Sequence, residues 1–209
     1  MMRGPAFWNT KHPKRDLVYA GRPIPSKDER FPMDLRRFIW ADDVVIKQYI
    51  DSFAPLYSLP NQRSDHMAYA VHQFVRQRIK YVADTTLGTP EFWLFPTETT
   101  KLGQGDCEDG AILIVSILRN LGMPAWRIRV AAGYVQSEGK RAGHAWATYC
   151  RETDEAWIPL DWCYWPEDYT IPVKENPKYF GGDQVWFSFN DENAWSEFPS
   201  HEVKPRSAQ

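Results

Sequence analysis

The chain has 209 residues, a net charge of −2, 43% hydrophobic and 25% charged residues, which suits one globular domain of ordinary composition rather than two. Its 25 Lys and Arg are scattered rather than gathered into a basic stripe, which argues against a dedicated nucleic-acid binder. No apolar run approaches the roughly 18 residues of a membrane helix, and Met1-Met2-Arg3-Gly4-Pro5 lacks the apolar segment of a secretory signal, so a cytoplasmic protein with neither membrane nor nucleic-acid partners is expected.

Residues 1–60 read as an N-terminal extension packed on the core. Up to about residue 40 it is an extended arm, because Pro23, Pro25 and Pro32 break any regular element, and Trp8, Phe31, Phe38 and Trp40 pin it down. Asp42 or Asp43 starts a helix through about Phe53, with Val45, Tyr49 and Phe53 on one face, closed by Pro55 and Pro60. The core domain is 61–198, and 199–209 is a loose polar tail. Ser64 or Asp65 caps a helix to about Tyr81, on which Met67, Ala70, Val71, Phe74, Val75 and Ile79 recur at helical spacing. Residues 83–105 read as a surface loop.

The next helix has the strongest signals. Asp106 is its candidate N-cap, and Glu108 and Asp109 suit the positive end of the helix dipole. Ala111, Ile112, Ile114, Val115, Leu118 and Leu121 form a wide apolar stripe, which Gly122 and Pro124 end. Alternating runs follow at Arg127–Val135, His144–Cys150 and Trp157–Cys163, with a fourth at 184–189. Helices first and an antiparallel meander afterwards make an α+β fold.

Three residues carry chemistry: Cys107 at the start of that helix, His144 in Gly-His-Ala-Trp, and Asp161 in Trp-Ile-Pro-Leu-Asp. A thiol, an imidazole and a carboxylate are the parts of cysteine-nucleophile acyl transfer. In a hairpin of 144–150 and 157–163, period-two alternation places His144 and Asp161 on one face, directly opposed or diagonal. The same hairpin separates Cys150 from Cys163 by roughly 20 Å, too far for a disulfide. A helix N-terminus and an imidazolium lower a thiol pKa. Asp106, Glu108 and Asp109 oppose that, and the ion pair with His144 outweighs them if they face outward. The Cys107 backbone N–H is a natural oxyanion donor, with Gln104 or Trp93 as the second. Trp146 and Trp162, with Tyr164, Trp165 and Tyr169, are candidates for a substrate wall. Cys150 and Cys163 read as small buried hydrophobes, and His12, His66, His72 and His201 as surface residues.

Gly-x-Gly-Asp-Cys-Glu-Asp, Gly-His-Ala-Trp and Trp-Ile-Pro-Leu-Asp, in that order, resemble the transglutaminase-like superfamily over roughly residues 65–165. The resemblance implies a papain-like fold, in which a helix carrying the Cys packs on an antiparallel sheet carrying the His and Asp. It makes Cys107 the nucleophile, His144 the general base and then acid, and Asp161 the group that orients His144. The family includes cross-linking enzymes, bacterial cysteine proteases, amidases and members without catalysis. Hydrolysis of a peptide, isopeptide or related amide bond in a protein or peptide substrate is the first expectation. Transglutamination and a non-catalytic interaction domain are the alternatives. No cofactor is expected other than calcium, which some bacterial proteases of the family bind through carboxylates beside the Cys; here these are Asp106 and Glu108. Where many members continue Asp-Pro-Thr, this chain has Trp162 and Cys163.

Overall fold

The computed structural model describes residues 4, 6–23, 29–57, 63–84, 92–137, 140–163, 185–198 and 202–203. In chain order the elements are α1 (Phe7–Lys11), β1 (Val18–Pro23), β2 (Arg30–Asp34), α2 (Val44–Asp51), α3 (Ala54–Tyr57), α4 (Ser64–Arg78), β3 (Lys80–Tyr81), α5 (Pro96–Leu102), β4 (Gln104–Gly105) and α6 (Cys107–Asn120). The second half adds β5 (Ile128–Ser137), β6 (Lys140–Cys150), β7 (Trp157–Leu160), β8 (Val185–Phe189), β9 (Ala194–Ser196) and β10 (Glu202–Val203). The main sheet has the order β7-β6-β5-β8-β9, with every neighbouring pair antiparallel. The fold is α+β, as expected.

Helix α6 is the centre of the molecule. Every residue from Glu108 to Leu118 is buried, because β5 and β6 cover one side while α4, α2 and α5 cover the other. Each fully buried Ile, Leu or Val there contributes about 1.5–3 kcal/mol of transfer free energy, which holds the helix start in place. Helix α4 is tied to the β6–β7 hairpin by buried Asp65, which accepts hydrogen bonds from the Tyr149 hydroxyl (2.6 Å) and the Glu152 N–H (2.6 Å).

Several expectations change. The arm forms regular structure: β1 and β2 pair, and β2 tolerates Pro32 because it is the edge strand of the β10-β1-β2 sheet. Phe31 is 49% exposed and lies outside the core of the described residues, whereas Phe38 is fully buried and Trp40 packs against the core. Asp43 caps α2 through Val45 N–H and Ile46 N–H, as anticipated, and Tyr49 and Phe53 pack against the core as expected, but Ile46 and Ile50 are the fully enclosed residues of that face and Val45 is exposed. Helix α4 ends at Arg78, and Tyr81 belongs to β3. The stretch read as a loop contains α5, with Pro96 in its first turn and the Glu98 carboxylate accepting from Phe95 N–H at 2.7 Å. The tail supplies β10, parallel to β1.

Candidate active site

Cys107 opens α6. The first turn is held by Asp109, whose carboxylate accepts from the N–H groups of Asp106 (3.0 Å) and Leu94 (2.8 Å). Trp162 packs across the same turn and donates its indole N–H to the Cys107 carbonyl at 3.1 Å. That approach requires Gly110, because a Cβ there would lie 2.2 Å from the Trp162 ring. The Ala145 N–H lies close enough to the Cys107 sulfur to favour its thiolate slightly, which places the thiol beside β6, next to His144 in sequence.

The β6–β7 register pairs Ala147 with Leu160 and Cys150 with Trp157. Continued past the end of β7, it puts Asp161 diagonally from His144 on one face and Cys163 opposite His144. The expected pair forms: His144 Nε2 and Asp161 Oδ2 are 2.7 Å apart, with side chains 3% and 0% exposed. Asp161 Oδ1 accepts from Cys163 N–H at 2.8 Å. Behind it, His72 on α4 donates its Nε2–H to the Asp161 carbonyl at 2.8 Å. Burial lowers the His72 pKa to about 4, so the ring is neutral and acts as a donor.

The acidic residues beside Cys107 do not face outward. Asp106, Glu108 and Asp109 are all buried, and the Cys107 thiol donates to Glu108 Oε2 at 3.3 Å. Burial first, then the charges of Glu108 and Asp106, push the Cys107 thiol well above its ordinary value, the reverse of the effect expected from a helix N-terminus. Burial also raises Asp106 and, much further, Asp109. Asp84 joins this group and is pushed up to about 6 by burial and by Asp106. Its part has no signature in the sequence, because it lies well before Cys107 and outside any motif.

The remaining expectations divide. Gln104 is half-buried on β4, just before the Cys107 helix. Trp93 lies in the core, 3% exposed, stacked on Tyr19 at 4.6 Å and on Phe189 at 5.9 Å. Trp146 is buried on the sheet face with Cys150 and Trp157 and stacks against the His144 ring at 5.9 Å, so it supports the imidazole. Trp162 is 4% exposed and braces the Cys107 turn instead of walling a groove. Tyr164, Trp165 and Tyr169 lie outside the described residues. Asp106, Cys107 and Glu108 bring their ligand atoms within 4.8 Å of one another. His72 and His12, read as surface residues, are 0% and 1% exposed. Cys150 is buried as expected, whereas Cys163 is half-buried beside Asp161.

Residues 56–162 match the transglutaminase-like superfamily. No curated protein matches the chain by sequence. Among solved structures, LapG of Legionella pneumophila in EGTA-treated form is similar, with TM-score 0.56 and 20% identity over 73% of this chain and 84% of that one. Its calcium-bound form is similar at TM-score 0.55 and 20% identity, over 73% and 86% of the two chains.

Proposed function

The chain belongs to the transglutaminase-like superfamily, matched over residues 56–162, and from that premise we propose that it is a cysteine hydrolase of peptide, isopeptide or related amide bonds. The observation that carries this reading is the buried 2.7 Å His144–Asp161 contact, next in sequence to the N–H that lies close to the Cys107 sulfur.

In the proposed reaction, Cys107 Sγ attacks the carbonyl carbon and His144 takes the thiol proton. Nε2 is committed to Asp161, so Nδ1 is the nitrogen that exchanges it, and Asp161 stabilises the imidazolium. The Cys107 N–H at the start of α6 and the Gln104 side chain are the proposed donors to the oxyanion. Collapse expels the amine with the proton from His144 and leaves an acyl-thioester, which water, deprotonated by His144, hydrolyses.

Calcium is part of this reading. Its residues are Asp106 and Glu108, and the fit rests on Asp106 Oδ1, which is buried with no hydrogen-bond partner among the described residues. Carboxylate oxygens are the donors calcium prefers. A cation there supplies positive charge that offsets the carboxylates opposing the thiolate. The structural neighbour LapG has been solved calcium-bound.

The test is a peptide mixture incubated in calcium-containing buffer with and without a fluorescent primary amine. Cleavage products that disappear in Cys107→Ala are expected. Amine incorporation that outpaces cleavage would make the protein a cross-linker, and equal turnover by Cys107→Ala would refute the nucleophile.

A further inference from the structure

Cys163 does more than occupy the position where the family continues differently. The sulfur of Cys163, a ring nitrogen of His144 and a carboxylate oxygen of Asp161 all lie within 4.8 Å of one another. The cluster is sheltered: His144 and Asp161 are buried and Cys163 is half-buried. One sulfur, one imidazole nitrogen and one carboxylate oxygen are the donor types of tetrahedral zinc, whose bonds of about 2.0–2.3 Å put ligand atoms on the order of 3.5 Å apart. Reaching that spacing from the present one takes small shifts, including a widening of the 2.7 Å His144–Asp161 contact. The supporting contacts that a metal site needs are present: Cys163 N–H holds Asp161 Oδ1, and His72 holds the Asp161 backbone.

We propose that His144, Asp161 and Cys163 form a transition-metal site, with Zn2+ as the fitting occupant, that switches the catalytic pair off. It shares no residue with the oxygen-only pair Asp106 and Glu108 and differs from it in kind, since a thiol and an imidazole select zinc over calcium. Coordination releases the Cys163 thiol proton to solvent as the sulfur–zinc bond forms. Nε2 binds the metal through its lone pair, so the imidazole proton moves to Nδ1. With Nδ1 protonated and Nε2 coordinated, His144 has no lone pair to accept the Cys107 proton. Binding stands on the cluster alone; only the inhibitory consequence rests on the hydrolase reading above.

Cobalt(II) is the probe for binding, because thiolate ligation gives it a near-ultraviolet charge-transfer band. Titrated into Cys107→Ala at constant calcium, with folding checked by circular dichroism, it is expected to raise that band to saturation at a single cobalt per chain. The band should vanish in Cys107→Ala/Cys163→Ser, which retains Cys150. No band in the single variant, or an equal band in the double variant, overturns the site. For inhibition, zinc should slow iodoacetamide labelling of Cys107 in the otherwise native protein. Cys163→Ser should need at least about tenfold more zinc for the same effect, and equal sensitivity overturns the switch. If metal-free Cys107 resists labelling altogether, the hydrolase reading fails, whereas the cobalt titration still decides the metal site.

Discussion

His72 Nε2 lies 2.8 Å from the Asp161 carbonyl oxygen, so a helix residue far from the motifs holds the backbone of the carboxylate that holds His144. Both residues are fully buried, and a buried carbonyl left without its donor costs about 1–3 kcal/mol.

Burial of His72 sets a pH dependence of stability, which its bond to Asp161 partly offsets. The His72 pKa is about 4 in the folded chain against 6.5 for the free side chain, mainly through burial. Above 6.5 both states are neutral and the contribution is complete. As pH falls from 6.5 towards 4, the unfolded chain takes up the proton first and about 3 kcal/mol is lost. His72→Asn retains a donor without titrating. Urea unfolding at pH 7 and pH 4.5 should show a smaller acid loss in the variant, and parallel losses would reject the assignment.

Asp161→Asn keeps an acceptor for Cys163 N–H but removes the charge beside His144. A fall in kcat of about 10²–10⁴-fold with KM nearly unchanged is expected, because the carboxylate acts on the imidazole and not on bound substrate. Steady-state kinetics on a cleaved peptide decide it. A loss carried by KM would place Asp161 in substrate binding instead.

Gly110→Ala should destabilise the chain although it sits in a helix. Alanine gains about 1 kcal/mol in helix propensity, but its Cβ would fall 2.2 Å from the Trp162 ring. Overpacking of that kind costs about 1–3 kcal/mol. In a Trp162→Leu background the clash is gone and the same substitution should stabilise by up to about 1 kcal/mol, giving a coupling visible in a double-mutant cycle. Additive effects would mean that the ring moves aside freely.

Calcium should raise both stability and thiol reactivity. At 100 times its dissociation constant a ligand of the folded state adds about 2.7 kcal/mol, and neutralising Asp106 and Glu108 should speed alkylation of Cys107. Thermal melts and iodoacetamide labelling, with calcium and with EGTA, measure the two effects. Glu108→Gln should weaken both; calcium-independent melts and labelling would reject the site.

Much of this architecture was legible because its signals are local. The α6 stripe, Asp43 as a cap and the strand alternation each depend on residues a few positions apart. Parity alone put His144 and Asp161 on one face. Helix α5 has no periodic signature because it is short and lacks an apolar stripe, and only Pro96 followed by Glu98 marks its start. In α2 the apolar residues outnumber those it buries, so periodicity does not single out Ile46 and Ile50.

The candidate site divides along the same line. Local patterning is enough for the order Cys107, His144, Asp161, for the helix end that carries the thiol and for the shared face of its two partners. Packing between elements brings half-buried Asp84 up to buried Asp106 and sets Glu108 beside the thiol, stands His72 behind Asp161, and adds Cys163 to the His144–Asp161 pair. Periodicity reports which way a side chain points along one element. Burial and charge coupling depend on distances between elements, and those exist only after α4, α6 and the sheet have packed.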